Sequence, residues 1–125
     1  KEFIKLAPDW ARYYQMEFMG KLAVFTARED GKLIGYSIFF LDTLMHYKET
    51  RVASNDVLYL HPDYRVGFGA ITLIRLIKFS ESEIKKIAGE EKIRILWHIK
   101  KNHDFSPALH RMGYVDEEVI VGKLL

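Results

Sequence analysis

The sequence predicts an α/β (α+β) fold, a mixed sheet with helices packed on it. Three observations carry that expectation. Short runs rich in β-branched and aromatic residues recur along the chain. One long run, beginning near residue 70, switches to the 3.6-residue spacing of a helix. The chain has 125 residues with 49% apolar and 29% charged, enough for one domain around one core.

Taken in order, residues 8–19 read as a helix that packs on the core, opened by Pro8 and Asp9 and stopped by Gly20. Residues 22–28 read as a strand. Asp30-Gly31 is the pair expected of a tight hairpin turn, and residues 33–41 are the return strand. Residues 44–50 are polar and basic and read as an exposed loop. Residues 52–60 form a third strand, stopped at His61-Pro62 because proline cannot donate to a ladder. From Ala70 the apolar positions Ile71, Ile74, Ile77, Ile84 and Ile87 define a helix of some 18 residues ending at Gly89. Residues 93–99 are almost continuously apolar and predict a strand buried on both faces. Ser106-Pro107 opens a short helix, with the serine as cap, that Gly113 closes. Residues 119–124 read as a last strand.

Composition excludes several functions. There is no cysteine, so there is no disulfide framework, no thiolate nucleophile and no cysteine-held zinc. The spacings of His98, His103 and His110 match no zinc motif, and no metal is expected. A formal charge of +2 does not demand a nucleic-acid or membrane partner. No apolar run reaches the roughly 18 residues of a bilayer span, and a cytoplasmic location is expected.

The chemistry concentrates where the third strand meets the long helix: Leu58-Tyr59-Leu60-His61-Pro62-Asp63-Tyr64-Arg65-Val66-Gly67-Phe68-Gly69-Ala70-Ile71. A helix N-terminus leaves backbone N–H groups unpaired and carries positive partial charge. Glycines there let a ligand approach the backbone closely. Together they suit a phosphate, and Arg65 adds a fixed charge. Gly-Lys-Ser/Thr is absent, so this is not a P-loop. Position 72 is threonine where a dinucleotide-binding loop has its third glycine.

This stretch resembles the acetyl-CoA-binding motif of the GNAT superfamily of N-acetyltransferases: a strand, Pro-x-x-Arg/Gln-x-x-Gly-x-Gly/Ala, then a helix with paired leucines. Pro62, Arg65, Ala70, Leu73 and Ile74 fall on it. Phe68 replaces the first family glycine, and Gly67 and Gly69 flank it. In this the stretch is similar to the Arg-x-Gly-x-x-Gly/Ala variant of phage-type members. Asn102, then a short helix, then Gly113-Tyr114 match a second family feature. The resemblance runs over nearly the whole chain from Asp9.

It implies a single domain over residues 1–125 with a mostly antiparallel sheet, helices on both faces and a V-shaped cleft between the family's fourth and fifth strands. The family's first strand would be missing or upstream of Lys1. It implies acetyl-CoA as co-substrate, held by Leu58, Tyr59, Leu60, Arg65, Val66, Gly67, Phe68, Gly69, Ala70, Ile71 and Asn102. The reaction implied is direct transfer of acetyl to an amine on a small molecule or peptide, and a homodimer is allowed. Candidate proton-handling groups are Asp56, at the position where the family often has an acidic residue; His98, which alternates with Trp97 and Ile99 on its strand; and His46, beside the acceptor surface. That surface would be built by residues 8–19 and 44–50, with Tyr13, Tyr14 and Tyr47 available to line it. Leu109 occupies the position of the tyrosine that in many members protonates the CoA thiolate, and Tyr114 is a possible substitute. Two other functions fit the same family pattern: a protein that modifies or binds nucleic acid, against which the near-neutral charge argues, and a CoA-binding or interaction module without catalysis.

Overall fold

The computed structural model describes residues 5–65 and 69–125. In chain order it contains helix α1 (Trp10–Phe18), strands β1 (Leu22–Glu29), β2 (Lys32–Leu44) and β3 (Tyr47–Leu60), a 3-10 turn (Pro62–Tyr64), helix α2 (Gly69–Ala88), strand β4 (Lys92–Leu96), a second 3-10 turn (Lys101–His103) and helix α3 (Ser106–Arg111). The sheet order is β1-β2-β3-β4. β1–β2 and β2–β3 are antiparallel, and β4 runs parallel to β3.

The period-two alternation of β2 sorts the two faces of the sheet. Ser37, Phe39 and Leu41 face α2. The Ser80 hydroxyl donates to the Leu76 carbonyl (2.7 Å) and accepts from Ser37 Oγ (2.8 Å), so both buried hydroxyls are satisfied. Phe39 and Ala53 pack with Phe25 from β1 and Ile84 from α2 in the core cluster. Trp97 closes one side, with its ring edge-on to Phe39 at 5.0 Å. Burying a side chain such as Phe39 contributes about 1.5–3 kcal/mol. The opposite face carries Phe40, and there α1 lies: the Tyr13 ring stacks on Phe40 at 6.3 Å. Helices therefore cover both faces of a mostly antiparallel sheet.

Local chemistry sets several boundaries. Asp9 caps α1, its Oδ1 accepting from Arg12 N at 3.1 Å. Asp30 and Gly31 both have positive φ, 50° and 79°, the conformation a two-residue hairpin needs.

The structure corrects five expectations. Residues 44–50 do not form a loop: β2 and β3 run on as one long hairpin to Leu44 and Tyr47, because pairing with a neighbour satisfies the backbone whatever the polarity of the exposed side chains. The strand expected over residues 93–99 stops at Leu96 and is only half-buried. Ile93, Ile95 and Trp97 pack against the core, while the alternating Arg94 and His98 are exposed, so the run is not buried on both faces. Residues 119–124 form no strand, and Val119, Ile120 and Val121 are exposed. Helix α1 has no buried residue; it touches the sheet through half-buried Tyr13 and Met16 rather than packing broadly on the core. Ser106 is the first residue of α3, not its cap; Asp104 Oδ1 accepts from Ser106 N at 2.8 Å.

Candidate functional site

The site begins with an irregularity in β3. Asn55 pairs with Phe39 and Val57 with Ile38, so Asp56 is an extra residue, a β-bulge. The bulge shifts the alternation by one. Asn55 shares the α2 face with Phe39; beyond the bulge Leu58 and Leu60, opposite Ser37 and Gly35, share it instead. Asn55, 2% exposed, fastens the bulge: its Nδ2 donates to the Ile38 carbonyl (3.3 Å) and to the Val57 carbonyl (3.0 Å). Asp56 itself is exposed and accepts a hydrogen bond from the Tyr13 hydroxyl at 2.8 Å.

Past the bulge the two parallel strands part. The β3–β4 ladder covers Thr50 to Ser54 against Lys92 to Leu96 and goes no further, while β3 continues to Leu60 paired only with β2. His61 N donates to the Ile34 carbonyl at 2.6 Å. Counting back by twos, the backbone of Tyr59 and Val57 also faces β2, and the N–H and C=O of Leu58 and Leu60 face the open edge. An extended amide-bearing ligand laid there would find ladder partners. Asp56 and His98 each lie two residues beyond the last pair, Ser54–Leu96, on the two arms of the opening, and both are exposed.

The closed end of the edge is built tightly. Gly35 lies opposite Leu60, and a Cβ on it would stand 2.8 Å from the Tyr59 carbonyl oxygen. The Tyr59 ring lies tilted against Tyr36 at 5.3 Å, and the Arg65 guanidinium lies 5.5 Å from the Tyr59 ring centroid. Arg65 Nε donates to the Leu60 carbonyl. Arg65 thus braces the end of β3. Gly69, Ala70 and Ile71 begin α2, whose first backbone N–H groups lack helical partners. Val66, Gly67 and Phe68 lie outside the described residues. Asn102 is exposed in the 3-10 turn that follows the β4 arm.

The structure brings Asp56, Leu58, Tyr59, Leu60, Arg65, Gly69, Ala70, Ile71 and His98 to one end of β3 and β4. It does not bring His46 there. His46 lies ten residues before Asp56 and just ahead of β3, about 30 Å away along an extended strand. Tyr47 is at the same remote tip, whereas Tyr13 is at Asp56. Leu109 is 4% exposed in the core. Tyr114 lies edge-on to Trp97 at 6.4 Å, and burial raises its pKa above the usual phenol value. Two features escaped the sequence reading, the Asn55 clamp and the close approach at Gly35. A lone amide in an apolar strand is the only sequence signal for the first. Among the described residues no three His, Asp or Glu side chains gather as a metal site, and no helix is long and apolar enough to cross a membrane.

Comparison with solved structures shows that this mixed sheet flanked by helices has the fold of GNAT acetyltransferases. Glucosamine-6-phosphate N-acetyltransferase from Arabidopsis thaliana superposes with a TM-score of 0.69 at 9% identity, over 91% of this chain and 74% of the other. A GNAT family acetyltransferase from Staphylococcus aureus gives 0.66 at 19% identity, over 93% and 74%. An aminoglycoside acetyltransferase from an uncultured soil metagenomic sample, in complex with sisomicin, gives 0.64 at 17% identity, over 97% and 76%. No family model matches the sequence, and no curated protein does. The likeness lies in the fold.

Proposed function

We propose that this chain is an acetyl-CoA-dependent N-acetyltransferase that passes the acetyl group to an amine by direct attack. The observation that carries the reading is the open edge of β3 beyond Ser54–Leu96, running from the Asp56 bulge to the start of α2. On this reading the pantetheine arm lies along Leu58 and Leu60, and its pyrophosphate rests on the backbone from Val66 to Ile71 with Arg65 at the margin. Asn102 borders the same opening from the other arm.

The thioester carbonyl is polarised by backbone N–H groups of the edge. The amine lone pair attacks that carbon. The C–N bond forms, the C–S bond breaks, and the sulfur leaves with the electron pair. The proton lost by the new ammonium goes to Asp56, directly or through one water; His98, on the facing arm, is the second candidate for that role. Holding the two reactants in line supplies much of the acceleration. The acceptor is an amine on a small molecule or peptide. The fold is shared with a glucosamine-6-phosphate N-acetyltransferase and an aminoglycoside acetyltransferase, which supports a small-molecule amine.

The test is calorimetric titration with acetyl-CoA and with CoA. Saturable binding at micromolar levels is expected, weakened at least 10-fold by Ala70→Glu, which sets a carboxylate at the helix start where the phosphates would lie. Equal affinity in a folded Ala70→Glu protein would place the ligand elsewhere. The burial of Leu109, where many family members carry the acid, favours a second reading as a CoA-binding module; binding without thiol release across an amine panel would select it.

A further inference from the structure

We propose that Tyr13 is a positioning residue for Asp56, holding one carboxylate oxygen so that the other meets the proton of the attacking amine; this rests on the acetyltransferase reading above. Helix α1 buries no residue, so packing gives little reason for where it lies. Its half-buried Tyr13 is nevertheless held on two sides: the ring stacks on Phe40 at 6.3 Å and lies 6.0 Å from Trp10. The ring so fixed delivers its hydroxyl to Asp56 Oδ2 at 2.8 Å, across 43 residues of sequence.

Asp56 needs such a partner. As the extra residue of a bulge it lacks the ladder neighbours that orient an ordinary strand side chain. Asn55 fastens the backbone of the bulge, and Tyr13 fastens the side chain. The phenol stays a donor throughout the working range, because its hydrogen bond to the carboxylate, and then burial, raise its pKa above the usual value of 10.0. The bond is exposed, so it adds little to stability; its effect belongs to the chemical step.

The experiment uses the full chain with 13Cζ-labelled tyrosine, the Tyr13 signal being assigned by its loss in Tyr13→Phe. Asp56→Asn is expected to lower the pH midpoint of Tyr13 ionisation. Thiol release from acetyl-CoA is followed with glucosamine 6-phosphate and with sisomicin as acceptors. Tyr13→Phe is expected to lower kcat about 3- to 10-fold, the size of one hydrogen bond, with KM for acetyl-CoA unchanged. In the Asp56→Asn background the same substitution is expected to change kcat less than about 2-fold, because the two groups act as a unit. An unmoved Tyr13 midpoint, or losses that multiply in the double variant, would overturn the proposal. A wild-type protein that binds no acetyl-CoA, or releases no thiol across a panel of amines, overturns the acetyltransferase reading and the role of Tyr13 with it, while the titration still decides whether the contact exists.

Discussion

Gly35→Ala tests the end of β3 most directly. The added methyl carbon would sit 2.8 Å from the Tyr59 carbonyl oxygen and 3.1 Å from Leu60 Cδ1, against a comfortable separation of about 3.5 Å or more. The Leu60 side chain can turn aside, but the Tyr59 backbone has little freedom. It lies between the His61–Ile34 hydrogen bond of 2.6 Å and a ring held by Tyr36 and Arg65. Overpacking of this kind costs about 1–3 kcal/mol. For a chain of this length that is a fall in Tm of roughly 4–12 °C. The strain falls between Leu58 and Leu60, whose backbone forms the open edge, so acetyl-CoA affinity should fall as well. Gly31→Ala is the matched control. Its methyl would meet nothing within 4 Å, but φ is +79°, so the cost is about 1–2 kcal/mol of backbone strain with no loss of acetyl-CoA affinity. Scanning calorimetry gives the first quantity and titration the second. A Gly35→Ala protein with Tm within about 1 °C of wild type and unchanged affinity would refute the register assigned to β2 and β3 at this end.

Two further predictions follow from the hydrogen bonds around the sheet. Asn55→Leu keeps the branched shape, though not the volume, and removes both donors that fasten the bulge; it should cost about 1–3 kcal/mol in urea unfolding and lower kcat, since Asp56 is the next residue. At the start of α3, hydrogen bonds from Ser106 hold the Asp104 carboxyl below its usual value of 3.8. A depressed folded-state value contributes stability above the unfolded-state pKa that is lost as pH falls through the folded value. Amide exchange at Ala108 and Leu109 should therefore quicken, relative to the intrinsic rate, below about pH 3.8. Asp104→Asn should abolish that dependence.

Much of the architecture was legible in residue order because its causes are local. The Asp30-Gly31 turn, the cap at Asp9 and the switch to helical period after the glycines each depend on a few adjacent residues. Two of the misses, residues 44–50 and 119–124, share one cause. Residues 44–50 carry polar side chains yet extend the hairpin, and residues 119–124 carry β-branched side chains yet join no strand among the described residues, because a strand is decided by its partner. The expectation that residues 93–99 would be buried on both faces failed because Arg94 and His98 alternate with the core-facing Ile93, Ile95 and Trp97 and stay exposed.

The candidate site divides along the same line. The proline and arginine ahead of α2 and the glycine that opens it could be read as a strand–turn–helix pattern, because a helix N-terminus and its turn are written in consecutive residues. Asp56 could be marked only by its place in that pattern. By itself the sequence determined the Asp30-Gly31 turn, the Asp9 cap, the helix spacing and the lack of a cysteine nucleophile. Only the tertiary structure decided that Asp56 is a bulge, that Asn55 fastens it, that β3 and β4 part after Ser54, that Tyr13 reaches Asp56 and that His46 stands far away. Each of these is set by pairing register or by contact between residues distant in sequence, and neither leaves a periodic trace in the chain.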